Sequence, residues 1–168
     1  MKSLEQPQPP VHPDVRIGHV HLKVSNLDRA IGFYSGVLGL GIKQKFHAGA
    51  AFLAAGDYHH HIGLNVWESK GGTPPPPGHS GLYHTALLYP TRAALADALR
   101  RVIAAGIPLD GAADHGVSEA LYLRDPDQNG VELYWDKPQS DWPLDETGHL
   151  AMVNSRLDLD ALLATQSD

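Results

Sequence analysis

A glycine- and proline-rich segment divides this chain into two stretches that repeat the same order of predicted elements. Residues 71–81 include four successive prolines between glycines, and neither a helix nor the interior of a sheet can accommodate such a run. On each side of it, an alternating strand pattern is followed by apolar residues at helical spacing and then by three short strand patterns. This repeated order predicts an α+β fold built from two tandem βαβββ modules.

The repeat also predicts where the segments of the chain begin and end. The first segment contains four prolines and is expected to be extended. The last is a polar tail in which residues 157–163 are expected to form a short amphipathic turn of helix. The predicted segments are a lead-in at 1–14, a first module at 15–70, the linker at 71–81, a second module at 82–137 and the tail at 138–168.

Each module has its own predicted strands and helix. The first helix starts near Asn26 and ends before Gly39, and the second is capped by Thr91 and ended by Gly106. The predicted strands of the first module cover residues 17–24, 42–47, 50–55 and 60–67. The predicted elements of the second module are strands at 82–89, 107–110, 117–124 and 130–135 and a helix at 92–105.

The composition excludes several classes of function. The chain has no cysteine, so disulfides, cysteine-based zinc sites and thiol nucleophiles are ruled out. A formal net charge of -6, with scattered Lys and Arg, argues against a nucleic-acid groove. No apolar run approaches the roughly 18 residues that span a bilayer, and the polar N-terminus has no apolar signal region. These features predict a cytoplasmic protein that binds neither nucleic acid nor membranes.

Three side chains at matched positions of the repeat are candidates for chemistry. Aligning the halves by their first strands places His19 opposite His84, each just inside its strand, and aligning the last strands places Gly63 opposite Glu132. Taken singly, each histidine is more often a surface or hydrogen-bonded residue, and the carboxylate could face water. Together, two imidazoles and one carboxylate are the ligand set of non-haem Fe(II) oxygenases, and they also suit Mn or Zn. They could converge if the halves pack as equivalent sheets.

The two modules carry distinctive opening and closing motifs. The opening motifs are IGHVHLKV at 17–24, NLDRA at 26–30, FY at 33–34 and VLGL at 37–40. The closing motifs are LRDPD at 123–127 and NGVEL at 129–133. Both sets resemble the glyoxalase, bleomycin-resistance and extradiol dioxygenase superfamily, also called the vicinal oxygen chelate superfamily. The likeness covers about residues 16–136, and segments 59–67 and 81–101 resemble its catechol 2,3-dioxygenase-like branch.

This resemblance implies a fold and a metal site. The sheets of the two modules would together form a U-shaped mixed β-sheet cleft with flanking helices. Carried over by position, the metal ligands are His19, His84 and Glu132. Fe(II) is the first expectation for the divalent metal, and Mn, Zn and Ni are the alternatives.

Further side chains are predicted to act in the same cleft. His61 and Tyr122 are the predicted catalytic groups, which would handle protons. His21, His59 and Tyr134 are predicted to contact the substrate, and His21 is also an alternative ligand. The other interpretations are a histidine-rich exposed strand edge at 59–61 and simple packing of the two tyrosines.

Two departures from the superfamily pattern narrow the functional hypotheses. Gly63 stands where glyoxalase I-type members carry a fourth ligand, so a three-ligand site is expected. Extradiol dioxygenases of the superfamily usually have four modules, whereas this chain has two. The leading hypothesis is a dioxygenase-like oxidoreductase acting on a small catechol-like substrate. The alternatives are a glyoxalase-type lyase or isomerase and a non-catalytic binding protein of the bleomycin-resistance kind.

The predicted sheets also raise the question of assembly. Short sheets leave edges that must be paired or covered. The proline-rich linker is stiff enough to permit either pairing of the modules within one chain or a swapped pairing between two chains. A homodimer is expected in either arrangement.

Overall fold

The computed structural model describes residues 9–166, which form two β-sheets with helices packed on them. The first half contains β1 (Val20–Lys23), α1 (Leu27–Ile31), β2 (Gly41–Phe46), β3 (Ala50–Ala54) and β4 (Ile62–Asn65). The second half contains β5 (Thr85–Leu88), α2 (Arg92–Ala104), β6 (Leu109–Asp114), β7 (Ser118–Arg124) and β8 (Gly130–Asp136). The tail adds a 3-10 turn (Gln139–Asp141), β9 (Ser155–Arg156) and α3 (Leu159–Leu163).

Both halves have the same sheet topology. The first sheet has the strand order β1-β4-β3-β2, and the second has the order β5-β8-β7-β6-β9. In each sheet the first strand of the module runs parallel to the last, and the other pairs are antiparallel. The α+β class with two βαβββ modules is therefore confirmed. The strand from the tail, β9, was not predicted.

The pairing register of the first and last strands is also the same in the two halves. Val20 lies opposite Ile62, and Thr85 lies opposite Val131, so Gly63 and Glu132 occupy equivalent positions. The expectation that the two histidines lie inside their strands is wrong by one residue. Each strand begins directly after its histidine, because pairing with the neighbouring strand starts only at the next position.

The first helix differs from its prediction. Its α-helical part covers only Leu27–Ile31 and continues as a π-helical segment, Gly32–Val37. Gly32 and Gly36 lie in that segment, and glycine is a weak α-helix former, so the local cost of departing from α geometry is small. The second helix agrees with its prediction: the Thr91 side chain accepts a hydrogen bond from the Ala94 amide and starts α2. Among the described residues, no helix has both the length and the apolar composition needed to cross a membrane.

One hydrophobic core spans both modules. Its buried side chains come from the covered faces of the two sheets and from the helices packed on them, and they include Leu22, Val24, Leu53, Leu64, Leu95, Leu99, Val102, Leu121 and Leu133. The opposite face of β1 carries His21 and Lys23, which are exposed. The alternation of apolar and polar residues in the strand thus places its polar side chains on the face away from the core.

Buried polar contacts join the two modules. The hydroxyl of Tyr34, in the π-helical segment, donates to Asp125 of the β7–β8 turn at 3.0 Å. Ser25 Oγ and Arg29 Nη2 both donate to Asp127 in the same turn, at 2.5 and 2.7 Å. Burial and the neighbouring Asp125 raise the pKa of Tyr34, so its phenol keeps the proton that it donates.

We expect Tyr34→Phe to lower the free energy of unfolding by about 1–3 kcal/mol, because the buried carboxylate of Asp125 loses a donor. Urea denaturation monitored by circular dichroism measures the change. The matched control is Tyr83→Phe, whose side chain is 80% exposed and whose loss of a hydroxyl should change stability by less than about 0.5 kcal/mol. Equal midpoints for the two variants would contradict the expectation.

Candidate metal and substrate site

The second sheet brings together a histidine and a carboxylate. His84 Nε2 lies 2.9 Å from Glu132 Oε2, and both side chains are largely covered. They meet because β5 and β8 are parallel neighbours, with Thr85 opposite Val131. Two ligand atoms bound about 2.1 Å from one ion at right angles are about 3 Å apart, so this spacing suits a shared metal as well as a hydrogen bond.

Tyr122 and His115 extend this pair into a hydrogen-bonded chain. The Tyr122 hydroxyl donates to Glu132 Oε1 at 3.0 Å, and His115 Nε2 lies 2.7 Å from the same hydroxyl. Burial raises the pKa of Tyr122 to about 12, and the hydrogen bond to Glu132 and its negative charge act in the same direction. Tyr122 therefore stays protonated at neutral pH and orients the carboxylate.

His115 was missed in the sequence prediction. It lies in the turn between β6 and β7, where its backbone amide donates to the Ser118 carbonyl at 2.9 Å. A histidine in a turn has no strand or helix periodicity to mark it. The available signal was the short hairpin itself, which returns the chain to Tyr122 seven residues later.

A cavity of about 380 Å³ opens beside this network. The residues that line it include Tyr83, His84, His115, Tyr122, Arg124 and Asn154. Tyr134 lies two residues beyond Glu132 on β8, and residues at that spacing share a face of a strand. A volume of this size suits a small ligand.

The first sheet carries a separate cluster of histidines. The ring of His19 lies 4.3 Å from that of His60, and His59 Nδ1 and His60 Nδ1 are 2.7 Å apart. His21 Nε2 is 3.1 Å from the Asn65 amide nitrogen, and desolvation followed by the nearby His19 lowers the pKa of His21. His61 Nδ1 accepts a hydrogen bond from the Ala55 amide at 3.3 Å. Four predicted site residues and the neighbouring His60 therefore gather here, on the other sheet from Glu132.

The relative direction of β1 and β5 explains this separation. The carbonyl of His61 accepts a hydrogen bond from the Val20 amide, at the start of β1. His61 also lines a cavity together with Leu88 and Tyr89, at the end of β5, so the start of β1 lies near the end of β5. Beyond the other end of β1, Ser25 donates a hydrogen bond to Asp127. Asp127 lies just before β8, and the start of β8 is beside the start of its parallel neighbour β5. The two strands therefore run in opposite directions.

Because of this direction, His19 and His84 lie at opposite ends of the junction between the sheets. The four residues of β5 alone span about 13 Å. Within residues 9–166, no three His, Asp or Glu side chains are grouped so that they could hold a metal ion. One chain thus brings His84, Glu132 and Tyr122 together but places His19, His21, His59 and His61 elsewhere.

Comparison with known proteins agrees with this architecture. Residues 16–133 match the model of the glyoxalase/bleomycin resistance protein/dioxygenase superfamily. A catechol-2,3-dioxygenase of Bacillus subtilis is 38% identical over 94% of this chain and 54% of its own length. A biphenyl-2,3-diol 1,2-dioxygenase of Rhodococcus globerulus is 35% identical over 72% of this chain and 63% of its own length. The chain thus spans little more than half the length of these relatives.

A solved structure gives the same result for the fold. The lactoylglutathione lyase of Agrobacterium tumefaciens superposes with a TM-score of 0.57 at 25% identity, over 74% of this chain and 96% of that one. The family match covers most of the chain, and the sheets of 4 and 5 strands have the repeated topology described above. The chain belongs to the glyoxalase/bleomycin resistance protein/dioxygenase superfamily.

Proposed function

We propose that this chain is a metal-dependent, dioxygenase-like oxidoreductase that binds a small catechol-like substrate. The observation that carries the proposal is the His84–Glu132 pair, 2.9 Å apart and joined to Tyr122 and His115 at the edge of a cavity. The relatives named as catechol and biphenyl-diol dioxygenases indicate the substrate class. Both of those proteins are longer than this chain, so the proposed activity is argued from the residues of this chain.

His84 and Glu132 fit a divalent metal. Besides their 2.9 Å spacing, His84 has a buried Nδ1 with no hydrogen-bond partner among the described residues, so Nε2 is the ring nitrogen available to a ligand or to Glu132. An imidazole and a carboxylate accept Fe(II), Mn, Zn or Ni. Fe(II) is proposed first because the relatives are named dioxygenases. When bound, such an ion supplies Lewis-acid and redox chemistry to the site.

The chain's own residues bind the substrate and hold its protons. Tyr122 keeps its proton and fixes one oxygen of Glu132, which leaves the other oxygen directed at His84. Because the Tyr122 hydroxyl donates its one proton to Glu132, it accepts a hydrogen bond from His115 Nε2 at 2.7 Å, and this contact helps to orient the phenol. Tyr83, which is 80% exposed, also lines the cavity and offers a ring on which an aromatic substrate can pack.

The third ligand, His19, comes from a second copy of the chain in this proposal. His19 is exposed, and within its own chain it lies at the far end of the junction from His84. Large apolar residues at equivalent positions, two before each histidine, are also exposed: Ile17 by 90% and Leu82 by 62%. In a twofold dimer the same surface of both copies lies at the interface. Packing of the first module of one copy against the second module of the other would therefore cover Ile17 and Leu82 in both copies. Light scattering should then give about twice the 18.1 kDa mass of one chain.

Oxygen consumption tests the proposed reaction. The protein is loaded with Fe(II) without oxygen, its iron content is measured, and catechol, 3-methylcatechol and 2,3-dihydroxybiphenyl are then added with oxygen. We expect uptake of one O₂ per diol consumed and loss of uptake in Glu132→Ala. Absence of uptake with every diol, in protein that holds iron, would contradict the proposal.

A lyase or isomerase is the second candidate function, favoured by the structural similarity to the lactoylglutathione lyase of Agrobacterium tumefaciens. In that reaction type the metal polarises oxygens without consuming O₂. Gly63, equivalent to Glu132 in the strand register, offers no side chain as a fourth ligand. Addition of a Cβ at Gly63 would also meet the His21 ring at 2.9 Å, so a side chain there would require the His21 ring to move.

We expect Tyr122→Phe to weaken metal binding by about 10- to 100-fold, because Glu132 loses the hydroxyl that orients it. Titration with Fe(II) or Co(II), with a competing chelator, measures the affinity. Tyr134→Phe is the matched control. It removes a hydroxyl on the same face of β8 as Glu132, and among the described contacts that hydroxyl makes no hydrogen bond to Glu132. Equal affinities in the two variants would show that Tyr122 does not orient the ligand.

A further inference from the structure

The C-terminal tail reaches the cavity beside Tyr122. After the 3-10 turn, residues 143–151 form a hairpin in which Leu144 pairs with Leu150 and the Ala151 amide donates to the Pro143 carbonyl at 2.8 Å. The chain then turns along the second sheet as β9, which pairs with β6. Asn154, directly before β9, lines the cavity together with His84, His115 and Tyr122.

Several contacts hold this part of the tail in place. The Val153 amide donates to the His115 carbonyl at 3.0 Å, and the His115 ring nitrogen Nδ1 lies 3.3 Å from the Val153 carbonyl oxygen. Ser155 Oγ donates to the Asp114 carbonyl at 3.2 Å. The β6–β9 register pairs Asp114 with Ser155, and its continuation places Asn154 opposite His115. The position of Asn154 is therefore set by backbone pairing on both of its sides.

The end of the tail is anchored on α2. Leu162 of α3 is fully buried in the shared core. Arg92 donates to the Thr165 hydroxyl at 2.7 Å, and Arg100 donates to the Leu163 carbonyl at 2.8 Å. These contacts keep the tail on the second module, so its strand remains at the cavity.

We propose that the tail forms a wall of the substrate cavity and that Asn154 is a specificity-determining residue, which hydrogen-bonds to an uncharged polar substituent on the aromatic ring. The proposal rests on the function proposed above. The Asn154 side chain is exposed and has no hydrogen-bond partner among the described residues, and an amide can both donate and accept. The other polar end of the cavity holds Arg124, whose charge is compensated by Asp110 at 2.6 Å, so a neutral substituent is favoured over a carboxylate.

Binding of matched diols tests this assignment. Dissociation constants of the Fe(II)-loaded full chain are measured by anaerobic calorimetry for 1,2,4-trihydroxybenzene and 4-methylcatechol, which differ by a hydroxyl in place of a methyl of similar size. We expect the wild type to prefer the triol and Asn154→Ala to lower the ratio of the two affinities by about fivefold. Glu146→Ala, at the exposed tip of the tail hairpin, should leave that ratio unchanged.

The outcomes separate this proposal from the proposed function. If the wild type binds the diols and Asn154→Ala leaves the ratio unchanged, Asn154 does not select the substituent and the function still stands. Tighter binding of 3,4-dihydroxybenzoate than of the triol would also overturn the assignment, in favour of Arg124. If the wild type binds none of the diols, the function and this inference fall together.

Discussion

Replacing Glu132 by alanine is expected to lower metal affinity by more than 100-fold and to abolish oxygen consumption. Removal of a group that only orients a ligand costs about 10- to 100-fold, and loss of the ligand itself costs more. Without its carboxylate, the site would keep a single anchor, His84, on the second sheet. The metal content of untagged protein, measured by elemental analysis after dialysis, gives the result.

Two further variants make this measurement specific. His84→Ala removes the other half of the pair and should have the same effect. Asp136→Ala removes an exposed carboxylate from the end of the same strand and should keep the metal content of the wild type. Equal metal content in all of these proteins would exclude His84 and Glu132 as ligands.

Local patterns in the sequence were sufficient to predict α2, β7 and β8 of the second module. Thr91 and Gly106 bound α2 because capping depends on residues within one turn of the helix end. Strands β7 and β8 agree with their predictions to within one residue, because the turn at 125–130 that separates them is marked by its own Asp, Pro, Asn and Gly residues. The equivalence of Gly63 and Glu132 was also predicted, because it requires only that both modules have the same register.

The relation between the modules could not be predicted in this way. It depends on contacts such as Ser25 with Asp127, which are 102 residues apart and leave no periodic signal in either segment. The prediction that the three ligands share one cleft assumed a pairing of the modules that local patterns do not encode. The positions of the tail and of His115 were missed for the same reason: both depend on where an irregular segment lies against a sheet.

Histidine clustering on the first sheet is consistent with a role between two copies. Among the contacts described there, the ring of His19 packs on His60, and the hydrogen bonds of His21 and His61 go to an amide side chain and a backbone amide. The second sheet has the opposite arrangement, with Glu132 close to only one ligand histidine. The two sheets therefore offer complementary parts of a His/His/Glu set, which favours swapped pairing of modules over pairing within one chain.

Mixing two inactive variants should restore part of the metal site if His19 comes from a second copy. His19→Ala and Glu132→Ala each destroy both sites of a dimer. When the two are unfolded and refolded together at equal amounts, about half of the dimers are mixed, and each mixed dimer has one site with all three ligands. We expect metal content and oxygen uptake to recover to about a quarter of the wild-type values.

The control mixture distinguishes this result from a general effect of refolding. His84 and Glu132 belong to the same site of the same chain, so mixing His84→Ala with Glu132→Ala should restore nothing. Each variant refolded alone should also remain without metal. Recovery confined to the first mixture requires that His19 reach His84 and Glu132 across the interface. If neither mixture recovers although light scattering gives the mass of a dimer, the ligands come from one chain and the modules pair within it.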